Sequence, residues 1–133
     1  MAFVVDEDCR TKRNRHFSEQ SLRNAGIDPA VHAHYLGAPN EFEEMFSDEQ
    51  WTAVANVQWP RRDGREWRFA DVSKCRTGKF SKEWQQKLNS AIDSGCVGKP
   101  AIGRAMAWSL RTADEIPLQL RTAFDALVAL AAS

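Results

Sequence analysis

The sequence lacks the features that mark several specialised classes of protein. No apolar run approaches the roughly 20 residues that a membrane-spanning helix needs. Glycine and proline are few, at 7 and 5 residues, while 43% of the residues are hydrophobic, which excludes a disordered or low-complexity protein. The N-terminus turns acidic at Asp6, unlike a signal peptide. We therefore expect a cytoplasmic protein without a membrane partner.

Cysteine is also scarce, with Cys9, Cys75 and Cys96 far apart in the sequence. An odd number without CxxC spacing fits neither a disulfide framework nor a zinc site. The sequence therefore predicts reduced thiols, as in a cytosol. Cys75 lies between Lys74 and Arg76, where positive charge would lower the pKa of a thiol, although an incidental cysteine in a basic loop is the simpler interpretation.

Net charge is absent, because 18 Lys and Arg residues balance 18 Asp and Glu residues. The charges are nevertheless grouped. Residues 28–60 contain no Lys or Arg and are strongly acidic, whereas the flanking segments 10–27 and 61–82 are basic. Such segments either pair with each other inside one fold or form a polarised surface that steers a charged partner. Both alternatives stay open at the level of sequence.

The first part of the chain predicts one strand and several short helices. Residues 3–5 are apolar and partly β-branched, which favours a strand. The basic stretch 10–15 has no apolar periodicity, so residues 1–16 are expected to form a partly mobile arm. Asp28 and Pro29 are a strong helix start, with Asp as N-cap and Pro at the first helical position. From such start signals and from glycine stops, short helices are predicted over 18–26, 28–37 and 39–46.

Residues 47–60 allow two predictions. The first four form a capping-box pattern, which favours a helix, whereas the following β-branched residues favour a strand. Asp63-Gly64 lies between two aromatic-rich runs, which is a hairpin signal, and we therefore predict strands. A three-residue loop ending at Gly64 would place Trp59 opposite Trp67 as a cross-strand pair.

Helical periodicity dominates the rest of the chain. One helix is predicted to begin at Ser81, a second to carry Ile102 and Met106 on one face, and a third to open between residues 114 and 117. The predicted fold class is α+β. It is a single compact domain over residues 1–133, with short N-terminal helices, a central β-hairpin or small antiparallel sheet, and a helical C-terminal third.

No motif for catalysis, metal binding or a cofactor stands out. On the predicted helix, His32 and His34 point about 200° apart, so they would not share a metal ion. His16 has no accompanying Ser or Cys nucleophile motif. We therefore predict no catalytic residue, metal ligand or cofactor. A small enzyme with a site assembled from distant residues remains an alternative.

The leading hypothesis is a small protein-binding factor that occludes its partner, such as an inhibitor, an immunity protein or an anti-defence factor of a bacterium or phage. It rests on the grouped charges, on five Trp residues against one Tyr, and on the missing catalytic motifs. The oligomeric state is left open. The predicted partner-binding surface is an acidic patch made of Glu41, Glu43, Glu44, Asp48 and Glu49.

The alternative hypothesis is nucleic-acid binding through a basic surface. Trp59, Trp67 and Phe69 alternate with arginines, as stacking platforms for bases would. The zero net charge argues against it. The residues predicted to contact nucleic acid are Arg10, Lys12, Arg13, Arg15, Arg61, Arg62, Arg65, Arg68 and Lys79.

Overall fold

The computed structural model describes residues 1–12, 15–93 and 95–133. This part of the chain forms an α+β fold with seven α-helices and a two-stranded sheet, which confirms the predicted fold class. The chain divides into two compact units. The first combines residues 1–45 with 116–133, and the second is the continuous segment 46–115. The single domain over 1–133 stays a prediction, and the predicted mobile arm includes Arg13 and Asn14, which lie outside the described residues.

The sheet belongs to the first unit and is parallel. Strands β1 (Phe3–Asp6) and β2 (Ala33–Leu36) run in register, with Phe3 beside Ala33 and Asp6 beside Leu36. The strand expected at 3–5 is therefore confirmed, whereas the antiparallel arrangement was wrong. Parallel strands need a crossover connection, usually helical. Here helices α1 (Glu19–Asn24) and α2 (Pro29–His32) lie in that connection.

Side-chain caps start both crossover helices where the sequence predicts. Ser21 N donates to Ser18 Oγ at 3.2 Å, and Ala30 N donates to Asp28 Oδ1 at 3.0 Å. Helix α2 ends after one turn, so the helix predicted to reach residue 37 was wrong from Ala33 onward. Pairing with β1 gives the backbone of residues 33–36 hydrogen-bond partners, and this long-range interaction outweighs local helix signals.

The core of the first unit forms around β2. Helix α7 (Leu118–Ala132) packs Leu120 and Ala123 against Leu36. The helix predicted over 39–46 is reduced to a 3-10 turn over Phe42–Met45. Its two central glutamates, Glu43 and Glu44, are buried, at 6% and 8% exposure.

The second unit begins with helix α3 (Asp48–Gln58), where we predicted a strand. The capping box identified in the sequence is present: Gln50 N donates to Ser47 Oγ at 3.1 Å, and Ser47 N donates to Gln50 Oε1 at 3.0 Å. Because this cap satisfies backbone donors at the helix start, it favours helix over the β-branched pattern that follows. The predicted hairpin over residues 57–69 was therefore wrong.

The segment after α3 forms an irregular loop. Gly64 has the positive φ expected of it, at 72°, but in a loop rather than a hairpin. Trp59 and Trp67 do contact each other, although not across strands: Trp67 Nε1 donates to the Trp59 carbonyl at 2.7 Å. Helix α4 (Phe69–Ser73) then begins where the second strand was expected.

Helices α5 (Phe80–Ala91) and α6 (Lys99–Ser109) complete the second unit. Helix α5 begins one residue before Ser81, which is buried and is not its N-cap. The core is aromatic: the Trp84 ring lies 5.4 Å from that of Trp67 and 6.5 Å from that of Trp51, centroid to centroid. Among the described residues, none of the helices has the length and hydropathy that crossing a bilayer requires.

Candidate binding surface

Helices α3 and α6 of the second unit flank a groove with a volume of about 310 Å³. Small side chains, including Ala53 and Ala105, line part of it. Two large apolar residues in the lining are strongly exposed, with Val57 at 76% and Trp108 at 75% of their surface in contact with solvent. An exposed tryptophan beside an exposed valine in a concave surface is typical of an interaction site.

Helical geometry explains why these residues face outward. Ile102 and Met106 follow each other at four-residue spacing on α6 and are both buried. Trp108 comes two positions after Met106, which turns it about 200° around the helix axis and away from the interior. On α3, Trp51 and Val54 are buried, and Val57 lies outside that face. The exposed pair is therefore fixed by two well-anchored helices.

Hydrogen bonds hold one end of the groove in place. The Glu115 carboxylate accepts hydrogen bonds from the backbone N–H groups of Arg111 and Thr112, which lower the pKa of Glu115. Gln50 Nε2 donates to the Glu115 carbonyl at 2.8 Å and so connects α3 to this turn. The Glu115 carboxylate is thus engaged by backbone donors, while Arg111, also in the lining, is exposed.

The five carboxylates of the predicted acidic patch lie in different environments in the structure. Glu43 and Glu44 are buried, and Glu44 Oε1 accepts a hydrogen bond from Glu41 N at 3.1 Å. Asp48 is half-buried and accepts a hydrogen bond from Arg76 Nε at 2.7 Å. Glu49 on α3, next in sequence to the groove residue Gln50, is exposed. The surface charge of this patch is therefore smaller than its five carboxylates suggest.

Intramolecular ion pairs engage the basic residues near the N-terminus. Arg10 Nε lies 2.6 Å from Glu7 Oε1 and Arg10 Nη1 lies 2.8 Å from Glu19 Oε1, and both partners raise the pKa of Arg10. The guanidinium also lies over the Tyr35 ring, 4.4 Å from its centroid. Lys12 forms an ion pair with Asp8. Arg15 is exposed and Arg13 lies outside the described residues.

Besides Arg76, two further arginines of the second basic segment have acidic partners. Arg61 Nη2 lies 2.7 Å from Asp63 Oδ2, and its guanidinium lies 5.1 Å from the centroid of the Trp67 ring. Arg62 Nε lies 2.5 Å from Asp93 Oδ1. Neither contact joins the acidic segment 28–60 to the basic segment 61–82, whereas the ion pair of Arg76 with Asp48 does.

Other cations of that segment are exposed. Within the described residues, none of Arg65, Arg68, Lys79 and Lys82 forms an ion pair, and all four are exposed. Phe69 is 56% exposed, whereas the Trp59 and Trp67 side chains are buried. The structure thus leaves one of the three proposed stacking platforms accessible.

The histidines and cysteines do not form a cluster. His32 Nδ1 lies 2.7 Å from the Met1 carbonyl, while His34 lies on β2. In residues 1–12, 15–93 and 95–133, no group of three or more His, Cys, Asp or Glu side chains is arranged to hold a metal ion. Burial raises the pKa of the Cys75 thiol, opposite to the effect that its basic neighbours suggested.

The sequence did not lead us to either of the two large apolar residues exposed in the groove, Val57 and Trp108. Trp108 does carry a signal, because it lies off the apolar face that Ile102 and Met106 define. Val57 carried none, since a strand was expected there. No known protein family, curated protein or solved structure matches this chain.

Proposed function

We propose that this protein acts by binding another protein through the groove between α3 and α6. The observation that carries the proposal is the exposure of Trp108 beside Val57 in the wall of a concave surface. Tryptophan is enriched among the residues that dominate binding energy at protein interfaces. Removing apolar surface from water contributes roughly 25 cal/mol per Å², so covering these two side chains favours association.

The shape and charge of the groove fit a helical segment of the partner. Alanines at 53 and 105 leave room for a backbone to approach closely, and an amphipathic helix laid into an apolar groove is a common mode of recognition. Glu49 and Arg111 supply opposite charges near the groove. Opposite charges at the rim favour one orientation of a bound segment over the reverse.

We further propose that binding occludes the partner, as an inhibitor, an immunity protein or an anti-defence factor does, and that it takes place in the cytoplasm. The small size, the grouped charges and the lack of a catalytic motif in the sequence support this narrower role. Glu49 is the member of the predicted acidic patch that fits it best, because it is exposed and next to the groove.

The test compares Trp108→Ala with Phe69→Ala, which removes an exposed aromatic side chain outside the groove lining. Wild type and both variants serve as bait in the native host, and recovered proteins are quantified by mass spectrometry. We expect one stoichiometric partner that Trp108→Ala loses and Phe69→Ala retains. Calorimetry with the purified partner should then show at least a tenfold loss of affinity for Trp108→Ala. Equal recovery by both variants contradicts the proposed surface.

A charge reversal tests whether the carboxylate of Glu49 contributes to binding of the partner. Glu49→Lys should weaken the same complex, whereas Glu66→Lys, an exposed residue outside the groove lining, should not. Glu43 and Glu44 are unsuitable for this experiment, because a lysine at a buried position would destabilise the fold. Unchanged binding by Glu49→Lys would show that Glu49 is not part of the interface.

We propose nucleic-acid binding as the second candidate function. The observation that favours it is the set of exposed cations without an ion pair in the described chain, Arg65, Arg68, Lys79 and Lys82, together with exposed Phe69. Phosphate-driven binding weakens steeply as salt rises. Fluorescence anisotropy with single-stranded DNA and RNA should therefore show a salt slope that becomes shallower in Lys79→Gln and Lys82→Gln. No binding at low salt rejects this candidate.

A further inference from the structure

Helix α7 of the first unit carries a second apolar surface, which the proposed function does not use. Leu120 and Ala123 face the core, but Leu118 and Val128 are each 69% exposed and Phe124 is 46% exposed. Leu130 on the same helix is 37% exposed, and four exposed large apolar residues on one helix are of the kind that marks an interaction site. The arrangement of these residues indicates which partner binds this surface.

Four residues of α7 follow a spacing of three, four and three positions: Leu118, Arg121, Asp125 and Val128. Residues three and four apart lie on the same side of a helix, so these four share one face. Phe124 is three residues after Arg121 and four before Val128, which places it beside them. The exposed surface is therefore a stripe with apolar ends and two opposite charges in the middle.

The stripe is symmetric about residue 123. Leu118 and Val128 lie five positions to either side of it, and Arg121 and Asp125 lie two positions to either side. In an antiparallel pair of identical helices related by a two-fold axis at residue 123, Leu118 of each copy meets Val128 of the other. In the same register, Arg121 of each copy lies beside Asp125 of the other, which gives two ion pairs. A two-fold interface requires this kind of self-complementarity.

The charges agree with this arrangement. Asp125 is exposed, and Arg121 is half-buried. Arg121 also has a partner in its own chain, but a guanidinium carries five N–H donors and can serve more than one acceptor. A parallel pair in register would instead place Asp125 beside Asp125, which repels. The charge pattern therefore selects the antiparallel register.

We propose that α7 pairs with α7 of a second copy of this chain, antiparallel and centred on residue 123. The resulting homodimer covers Leu118, Phe124 and Val128 of both copies. Eleven residues of each helix, 118–128, overlap, which corresponds to about 16 Å of helix. None of the residues proposed for this interface lines the groove between α3 and α6.

Sedimentation equilibrium of the full chain tests the proposal, with Val128→Glu compared with Val57→Glu. Both valines are exposed, at 69% and 76%, so neither substitution is expected to disrupt a core. We expect a dimer for the wild type, a dissociation constant at least tenfold higher for Val128→Glu, and no change for Val57→Glu. A wild type that stays monomeric at the highest soluble concentration overturns the proposal. So does a dimer that only Val57→Glu weakens, which would place the contact at the groove.

Cysteine crosslinking tests the register. The background carries Cys9→Ser and Cys96→Ser, because these two thiols are accessible while Cys75 is buried. Chains with Leu118→Cys are mixed with chains with Val128→Cys and oxidised. The antiparallel pair predicts a disulfide in the mixture and none in either chain alone. Crosslinking of each chain with itself indicates a parallel pair, and no crosslink in any sample rejects α7 as the interface.

Discussion

Asn56 binds the backbone of Trp67 through both atoms of its side-chain amide. Its Oδ1 accepts a hydrogen bond from Trp67 N at 2.6 Å, and its Nδ2 donates to the Trp67 carbonyl at 3.1 Å. This pair fixes the loop that follows α3 and holds the Trp67 ring in the aromatic core. Asn89 does the same for the loop before α6, where it binds both backbone groups of Val97.

Replacing Asn56 with alanine should therefore destabilise the protein. Two backbone groups would lose their partners, and each such hydrogen bond contributes about 0.5–1.5 kcal/mol. Urea denaturation followed by tryptophan fluorescence measures the loss. Asn24→Ala is the control, because its exposed amide bonds to Gln20 one helical turn away. Equal stability of the two variants would show that the Asn56 contacts do not hold the loop.

Trp84 and Trp108, both in the second unit, differ in exposure. Replacing each with alanine should therefore change the stability of the protein by very different amounts. Trp84 is fully buried between Trp51 and Trp67, so Trp84→Ala should cost about 3–5 kcal/mol. Trp108 is exposed, and Trp108→Ala should change the free energy of unfolding by about 0.5 kcal/mol or less. Chemical denaturation of both variants checks this. A large loss in Trp108→Ala would contradict the exposure of this side chain and show that it stabilises the fold.

Asp63 should titrate at unusually low pH. The hydrogen bonds from Arg61 and from the backbone of Arg65 lower its pKa from 3.8 to about 2. Because the folded-state pKa is the lower one, these contacts stabilise the fold above pH 3.8, and their contribution disappears as the pH falls toward about 2. NMR titration of the carboxyl carbon measures the pKa. In Arg61→Gln it should return toward the ordinary value, and an unchanged pKa would assign the shift to another cause.

The thiols of Cys96 and Cys75 should react at different rates. Cys96 is exposed, whereas Cys75 is buried and donates from Sγ to the Asp71 carbonyl at 3.4 Å. Burial also raises the pKa of Cys75, so less of the reactive thiolate is present at neutral pH. A thiol-specific reagent should modify Cys96 quickly and Cys75 only after unfolding. Rapid modification of Cys75 in the native state, detected by peptide mapping, would contradict this burial.

Local chemistry explains which parts of the fold the sequence could predict. The caps at Ser18 and Asp28 act within three residues, so the helix starts were visible in the sequence. The same holds for the capping box at Ser47, although the aromatic-rich runs around Gly64 led us to prefer a hairpin. Strand β2 was not visible, because its hydrogen bonds go to β1, thirty residues earlier in the chain. Long-range pairing of this kind overrides local helix propensity.

The candidate surfaces were predictable only in part. Glu43 and Glu44 look like surface charges in the sequence, and only the folded structure shows them to be buried. Trp59 and Trp67 alternate with arginines, yet both rings belong to the core. The outward position of Trp108 agrees with its helical spacing from Met106, although it was not predicted. Exposure of a side chain depends on which face the rest of the chain covers, and that information is not local.

The discontinuity of the first unit has a consequence for the order in which the protein can assemble during synthesis. Leu36 packs against Leu120 and Ala123, which the ribosome adds more than eighty residues later. The segment 46–115 is continuous and forms a compact unit of its own, so it can fold earlier. A chain stopped at residue 115 should thus keep the ordered tryptophan signal of its aromatic core while its N-terminal strands exchange amide hydrogens freely. Helix α7 completes the unit to which β1 belongs.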